Sequence, residues 1–414
     1  MSWQSLRTLV LIWFAWAIIL IGYQTLVPAR LQLQRPDRAL FWTATETTAT
    51  SQNEKPYLME PFLNSQVSWD SEFYLAIATG GYDDPQVRAV GPNGFHYSLS
   101  YAFMPFYPFV MRIVAFPLRI FGMNPIATST LAGVLVSLLG TLAGMIALYD
   151  IVRDELGEAG GLRAAFYLVA FPTGFFLAQV YTEGLFVGLA FCSLALMRRK
   201  HRLWAALLAI CAVWTRAVGV ALVIPLALPW IREGEWMDLD LEWKQLYHNG
   251  VPWRGVGKAL ISAAPVLAFF VWRYSPQGVG FDFIEGTYFG RGIFALGSSF
   301  VNWQNAFQSL WGSNSQMAVY YLIEFAAIAL GFIACWQTRK RYPEIAWFSL
   351  AVILLSLTSG PAQGMHRYIL AAPVVFIALA RWGANAAFDR GWSLASILLN
   401  GLLALLFTFD MWVG

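Results

Sequence analysis

Charge, histidine and cysteine are all scarce in this chain. Charged residues fill only 12% of its 414 positions and histidine occurs 4 times, whereas a soluble globular domain carries about 25% charged residues. So few charges cannot solvate a water-facing surface, and a soluble fold is excluded. The 3 cysteines, Cys192, Cys211 and Cys335, all fall inside apolar runs. With no Cys-x-x-Cys or His-Cys cluster there is neither a disulfide framework nor a zinc site, and these thiols read as small buried side chains. A glycine-rich turn able to cradle a dinucleotide is also missing. The longest polar stretch on the basic side of the membrane, residues 232–257, is far too short for a nucleotide-binding domain.

What is present is apolar: 58% hydrophobic residues and 16% aromatics, with a mean hydropathy of +0.55. Runs such as Leu9 to Ala29, Ile120 to Tyr149, Ala164 to Thr182, Ala217 to Ile231 and Ile345 to Met365 reach or approach the roughly 20 residues a helix needs to cross hydrocarbon. Lipid cannot satisfy backbone polar groups, and these runs are too long and unbroken for barrel strands, so helices are required. The first run ends in Leu26, Val27 and Pro28 without a small-x-small cleavage site, and is read as a retained span rather than a signal peptide. The expected fold class is all-α, a polytopic transmembrane helix bundle of about eleven spans, with residues 1–414 forming one integral-membrane domain.

The net charge of +3 says little, but its distribution orients the chain. Two basic clusters, Arg198 to Arg202 and Arg339 to Arg341, lie between apolar runs and belong on the cytoplasmic side. Each is too short and too tightly flanked by spans to be a nucleic-acid surface. Alternating the runs from there places an outer loop at 30–100 and a second at 275–317. It sets Thr182-Glu183 and Thr215-Arg216 at outer turns, and Tyr101 to Phe121 along the membrane. The runs 203–215 and 217–231 are short for a crossing and leave a cleft, in which Glu183 and Arg216 can face one another at membrane depth. Snorkelling to the headgroups is the alternative.

In the first outer loop, Trp69, Phe73 and Ile77, with Asp70 and Tyr74, recur at helical spacing, predicting a short amphipathic helix on the membrane surface that starts near Asp70. A carboxylate beside aromatic rings at the water–lipid boundary suits a general base, though Asp70 could equally serve only as the helix N-cap. Gly80-Gly81 ends the helix. Phe95, His96 and Tyr97 then return aromatics to the interface.

The ordered motifs WDSEFYLAIATGGY (69–82), AFMPFYP (102–108), YTEGLF (181–186) and TRAVG (215–219) resemble the PIG-V-like family, the second mannosyltransferase of GPI-anchor assembly, together with its prokaryotic relatives. Beyond residue 219 the likeness narrows to hydropathy and a loose His-Arg-Tyr-x-Leu at 366–370. Where the family often carries a Glu four residues before its Ala-Phe-Phe-Pro segment, Ser98 stands here, which leaves the acceptor open. The resemblance implies a GT-C glycosyltransferase that moves a hexose, with a lean to mannose, from a polyprenyl or dolichyl phosphate to an acceptor hydroxyl with inversion. Asp70 would be the base, and Trp69, Tyr74, Tyr107, Glu183, Arg216, His366 and Arg367 the substrate- and donor-binding set. Arginine suits phosphate through its planar donor fork, while His366 could equally be a satisfied interfacial residue.

No cofactor is expected. A divalent ion held by Asp282 and Glu285 with Asp70 is the minority alternative. The expected partners are the lipid-linked sugar donor, membrane lipids and an unidentified hydroxyl acceptor such as a glycolipid, with no nucleic acid. A transporter or flippase is the competing class, but no hydropathy repeat or matched pair of broken helices supports it. A non-catalytic subunit is the third reading. With no retrieval signal at Asp410 to Gly414, a prokaryotic plasma membrane with an outward-facing site is preferred to the endoplasmic reticulum.

Overall fold

A computed structural model describes residues 1–31, 57, 60–85, 87, 89–91, 97–232 and 253–414. Most of the first outer loop before residue 57, the pair Phe95-His96 and nearly all of the polar stretch 232–257 lie outside the described residues.

The first helix, α1 (Trp3–Arg30), starts at Ser2, whose hydroxyl accepts from the Ser5 amide, and has Pro28 in its last turn. It packs on the long α4 (Pro125–Ala170), where Trp13 Nε1 donates to the Leu138 carbonyl at 2.9 Å. Asn124 caps α4 with Pro125 in its first turn, and Gly157, at φ +68°, breaks it. Only glycine takes that backbone conformation cheaply. The helix stops at Ala170 because Pro172 holds Phe171 extended, at φ −56° and ψ 148°. The expected single span over 164–182 is therefore not one helix: a 3-10 segment, Gly174–Ala178, intervenes before α5 (Thr182–Arg198) begins.

Helices α4 and α5 approach through small residues. A Cβ at Gly140 would lie 2.5 Å from the Gly184 carbonyl oxygen, and a Cβ at Gly184 would run into the Ser137 carbonyl. Backbones this close gain dispersion contacts and fix the axial register of α5, and with it the position of Glu183.

Around this pair stand α2 (Ser71–Thr79), α3 (Phe106–Leu118), α6 (Arg202–Thr215), a 3-10 turn (Ala217–Leu222) leading into α7 (Val223–Arg232) and α8 (Trp253–Arg273). The chain continues through α9 (Phe281–Tyr288), α10 (Leu296–Ser309), α11 (Ser315–Thr338), α12 (Pro343–Leu357), the single turn α13 (Met365–Tyr368), α14 (Pro373–Trp382) and α15 (Ala386–Thr408). Among the described residues the β structure is one two-residue antiparallel pairing, Ala89–Val90 with Tyr97–Ser98.

Five of the described helices are long and apolar enough to cross a membrane, and four shorter apolar ones accompany them. The protein is an integral membrane helix bundle. Both basic clusters converge at one end of it. Arg199 pairs with Asp150, while Arg341 and Arg381 reach Glu155 at 3.7 and 2.7 Å. The first turn of α5, with Glu183, lies at the other end of that 17-residue helix, roughly 25 Å away at 1.5 Å per residue.

One expectation about the first outer loop is settled differently. Helix α2 forms where predicted, but it does not lie with one face on the membrane surface: Ser71, Glu72 and Tyr74 to Ala78 are all buried. Its apolar spacing predicts one covered side, yet protein covers both sides. Arg112 of α3 closes its C-terminal end, donating to the carbonyls of Ala78 at 2.8 Å and Ile77 at 2.6 Å. Helix α3, in the segment expected to lie along the membrane, is two-faced: it buries Tyr107, Met111 and Ala115 and exposes Phe109, Ile113 and Phe116.

Candidate active site

Asp70 occupies the N-cap position of α2, yet its side chain caps nothing. Its backbone sits at φ −56° and ψ −23°, already helical, so the carboxylate cannot turn back onto the free amides as an extended cap residue does. The preceding Trp69 is left-handed at φ +52°. A bulky side chain in that region costs about 1–3 kcal/mol and persists only where its surroundings over-determine it. They do so here. Trp69 Nε1 donates to the Met411 carbonyl at 3.4 Å, its ring meets Trp412 edge-on at 4.9 Å, and the Asp70 amide donates to the Tyr181 hydroxyl at 3.2 Å. The adjoining segment is tied down by a buried amide cluster, with Gln66 donating to Gln24 at 3.3 Å and Gln179 to the same oxygen at 3.0 Å.

Freed from capping, the Asp70 carboxylate meets Arg367, whose Nη1 lies 3.5 Å from Oδ2. Arg367 also places Nε 3.4 Å from Glu183 Oε1. That same oxygen receives Nη1 of Arg216, which also reaches the Thr182 hydroxyl at 3.3 Å. Glu183 and Arg367 are 3% and 5% exposed, Asp70 31%. Buried charges persist only when paired, so Glu183 acts as the anion that holds two arginines together. Asp70 is left as the member of the cluster that a substrate can reach.

Of the residues expected from sequence, Asp70, Glu183, Arg216 and Arg367 are thus brought into one network. Trp69 flanks it. Tyr74 is buried against Phe103 and Tyr107, each ring 5.2 Å away. Tyr107 is fully buried and its hydroxyl is engaged by the Gly133 carbonyl and Ser137 Oγ, both at 3.0 Å. The His366 ring does not join the cluster: Nδ1 lies 3.0 Å from Glu324 Oε2 and Nε2 2.7 Å from the Val413 carbonyl.

Sequence reasoning missed four participants. Glu324, a lone carboxylate inside an apolar run, also accepts from the amides of Gly364 and His366 at 2.5 and 3.0 Å. It thereby positions the turn that carries Arg367. Tyr368, next in the His-Arg-Tyr triplet, takes Arg367 Nη2 on its hydroxyl at 3.3 Å. Tyr181 supplies the hydroxyl beneath Asp70. Arg291, in the second outer loop, turns its guanidinium toward the Tyr368 ring at 5.5 Å, and no local motif marks it.

For the metal alternative, no three of His, Cys, Asp or Glu are grouped to hold an ion among the described residues. Asp282 is taken by Arg273. Glu285 is half-buried, and its burial, aided by Asp70 and Asp282, pushes its carboxyl up to about 7 against the pull of Arg291. An apolar cavity of about 380 Å³ is lined by Pro105, Phe106, Phe109, Trp214, Val271, Trp272 and Ser275; Trp214 comes two residues before Arg216 in the chain.

The fold and site are those of an integral membrane helix bundle with a partly exposed carboxylate, Asp70, held against the buried Arg367. The sequence profile of the mannosyltransferase (PIG-V) family matches residues 9–226, and the chain belongs to that family of membrane glycosyltransferases. No curated protein matches it. Among solved structures it is similar to ArnT from Cupriavidus metallidurans bound to undecaprenyl phosphate, at 18% identity over 83% of this chain and 72% of that one, with a TM-score of 0.46. It is also similar to the archaeal oligosaccharyltransferase AglB from Archaeoglobus fulgidus in complex with an inhibitory peptide and a dolichol-phosphate. That likeness covers 99% of this chain and 56% of that one, at 12% identity and a TM-score of 0.45.

Proposed function

We propose that the protein transfers a mannosyl residue from a polyprenyl- or dolichyl-phosphate carrier to the hydroxyl of an acceptor, at the outer face of a prokaryotic plasma membrane. The observation that carries the reading is the uncapped Asp70 carboxylate, held by Arg367 and partly open to solvent. An acceptor hydroxyl must lose its proton as it attacks the anomeric carbon, and a carboxylate within reach takes it. The new acceptor oxygen–carbon bond forms as the carbon–oxygen bond to phosphate breaks, and the electron pair leaves on the phosphate. A single in-line displacement inverts the anomeric centre. The leaving group is already an anion and needs no acid, only cations to hold its growing charge, which favours a site built of arginines.

The apolar cavity lined by Trp214 suits the isoprenoid chain, and Arg216 follows two residues on in the chain. The catalysis asks for no metal. Incubating the purified protein with radiolabelled polyprenyl-phosphate mannose tests the proposal. Only an enzyme transfers the sugar or slowly hydrolyses it to free mannose. Label that stays on the lipid in a folded preparation would point instead to a transporter or a non-catalytic subunit.

A further inference from the structure

Three guanidinium groups converge on one phenol ring. The Cζ atoms of Arg367, Arg216 and Arg291 lie 5.1, 5.3 and 5.5 Å from the Tyr368 ring centroid. Two of them are committed. Arg216 is paired with Glu183, and Arg367 is shared between Glu183 and Asp70. Among the described residues Arg291 has no carboxylate within ion-pair distance, and its contacts there are with the ring and, less directly, with the half-buried Glu285. A cation so placed retains its full set of donors for a ligand.

We infer that Arg291 is the principal ligand of the donor's phosphate, with Arg216 and Arg367 as flanking charges and the Tyr368 ring as the surface on which all three are arrayed. The assignment rests on the glycosyl-transfer reading above, and the charges follow the reaction through. With Glu285 protonated, three arginines against the carboxylates of Asp70 and Glu183 leave one positive charge, matching the single negative charge of a phosphodiester donor. When Asp70 takes the acceptor's proton it becomes neutral and the cluster gains one positive charge. In the same step the phosphate becomes a monoester and gains one negative charge. The site therefore stabilises the charge that develops in the transition state more than the charge of the ground state, which is the requirement for catalysis. The planar fork of Arg291 presents two parallel donors to the phosphate oxygens, which an ammonium cannot.

The test uses full-length protein in detergent and the short-chain probe farnesyl phosphate, with farnesol as the matched alcohol. Wild type should bind farnesyl phosphate and discriminate against farnesol. Arg291→Gln should weaken the phosphate probe by at least about tenfold and leave farnesol unchanged. Should Arg291→Gln fail to fold, Arg291→Lys carries the same test, with a smaller loss of several-fold expected. Affinity within twofold of wild type in a folded Arg291 variant overturns the assignment while leaving the proposed activity standing. Wild type that binds both probes alike overturns the activity and the assignment together. Displacement of farnesyl phosphate by excess anionic phospholipid, lost in the Arg291 variant, would give the site to a lipid headgroup and sink the donor assignment.

Discussion

Arg367 stands between Asp70 and Glu183, 3.5 Å from one carboxylate and 3.4 Å from the other, and so divides the two acids by role. Glu183 is buried under two arginines. Asp70 shares only one of them and keeps solvent access. If that division is catalytic, Asp70→Asn should retain the fold and farnesyl phosphate binding but lower mannosyl transfer by at least about 10²-fold, the loss expected for a general base. Transfer assays beside thermal melting check it. Near-native turnover in a folded variant would remove Asp70 from the chemistry.

Asp70, Glu183, Arg216 and Arg367 were all legible in the sequence, because each sits in a short motif or interrupts an apolar run. What the sequence did not convey is which of them touch. Arg291 and Arg367 are separated by three helices, α10 to α12, and come together around the Tyr368 ring. Glu324 looks from sequence like an isolated polar slip in a span, and its partners at 364 and 366 come from another element. Helix α2 was misplaced for a related reason: apolar spacing shows that a helix has a greasy face, but not that protein covers its polar face too.

Glu183 invites a charge argument with two opposing effects. Glu183→Gln removes one negative charge shared by two arginines, so affinity for prenyl phosphate should rise several-fold by Coulomb attraction. Arg216 and Arg367 also lose the anion that orients them, so transfer should fall and product release slow. Binding and single-turnover measurements on the same variant separate the two. Weaker phosphate binding together with lower transfer would show that orientation outweighs charge.

The pair Glu324–His366 should behave as one unit. Removing one partner of a buried ion pair costs about 3–5 kcal/mol, and Glu324 also satisfies two backbone amides of the turn before Arg367. Glu324→Gln and His366→Gln should each destabilise strongly, and the double variant by clearly less than their sum, because contacting residues are not additive. Denaturation of the four proteins gives the coupling. Simple additivity would mean that the contact carries no weight.

Glu285 predicts a pH effect with a definite sign. Burial raises its carboxyl to about 7, so it is neutral in acid and becomes a carboxylate as pH rises through 7, adding a negative charge near Arg291. Asp70 and Asp282 add to the same rise, and Arg291 opposes it. Affinity for farnesyl phosphate should therefore weaken as pH rises through about 7, and Glu285→Gln should abolish that limb while keeping the low-pH affinity. The titration is read as the dissociation constant between pH 5.5 and 8.5. An unchanged limb in the variant would assign it to another group of the protein, since the second ionisation of the probe strengthens binding and has the opposite sign.

The proposed orientation in the membrane is testable at the two ends of the bundle. The basic clusters meet around Asp150 and Glu155, at the end of α5 remote from Glu183, and the positive-inside rule assigns that end to the cytoplasm. Ser313 precedes α11, the helix that later carries Glu324 to the active-site turn, and both Ser313 and His201 are exposed. With the native cysteines Cys192, Cys211 and Cys335 replaced by alanine, Ser313→Cys should react with an impermeant maleimide on intact cells. His201→Cys should react only after permeabilisation. The reverse pattern would turn the bundle over and place Asp70, Glu183 and the arginines on the cytoplasmic side, where a polyprenyl-phosphate sugar would have to be met before rather than after it crosses the membrane.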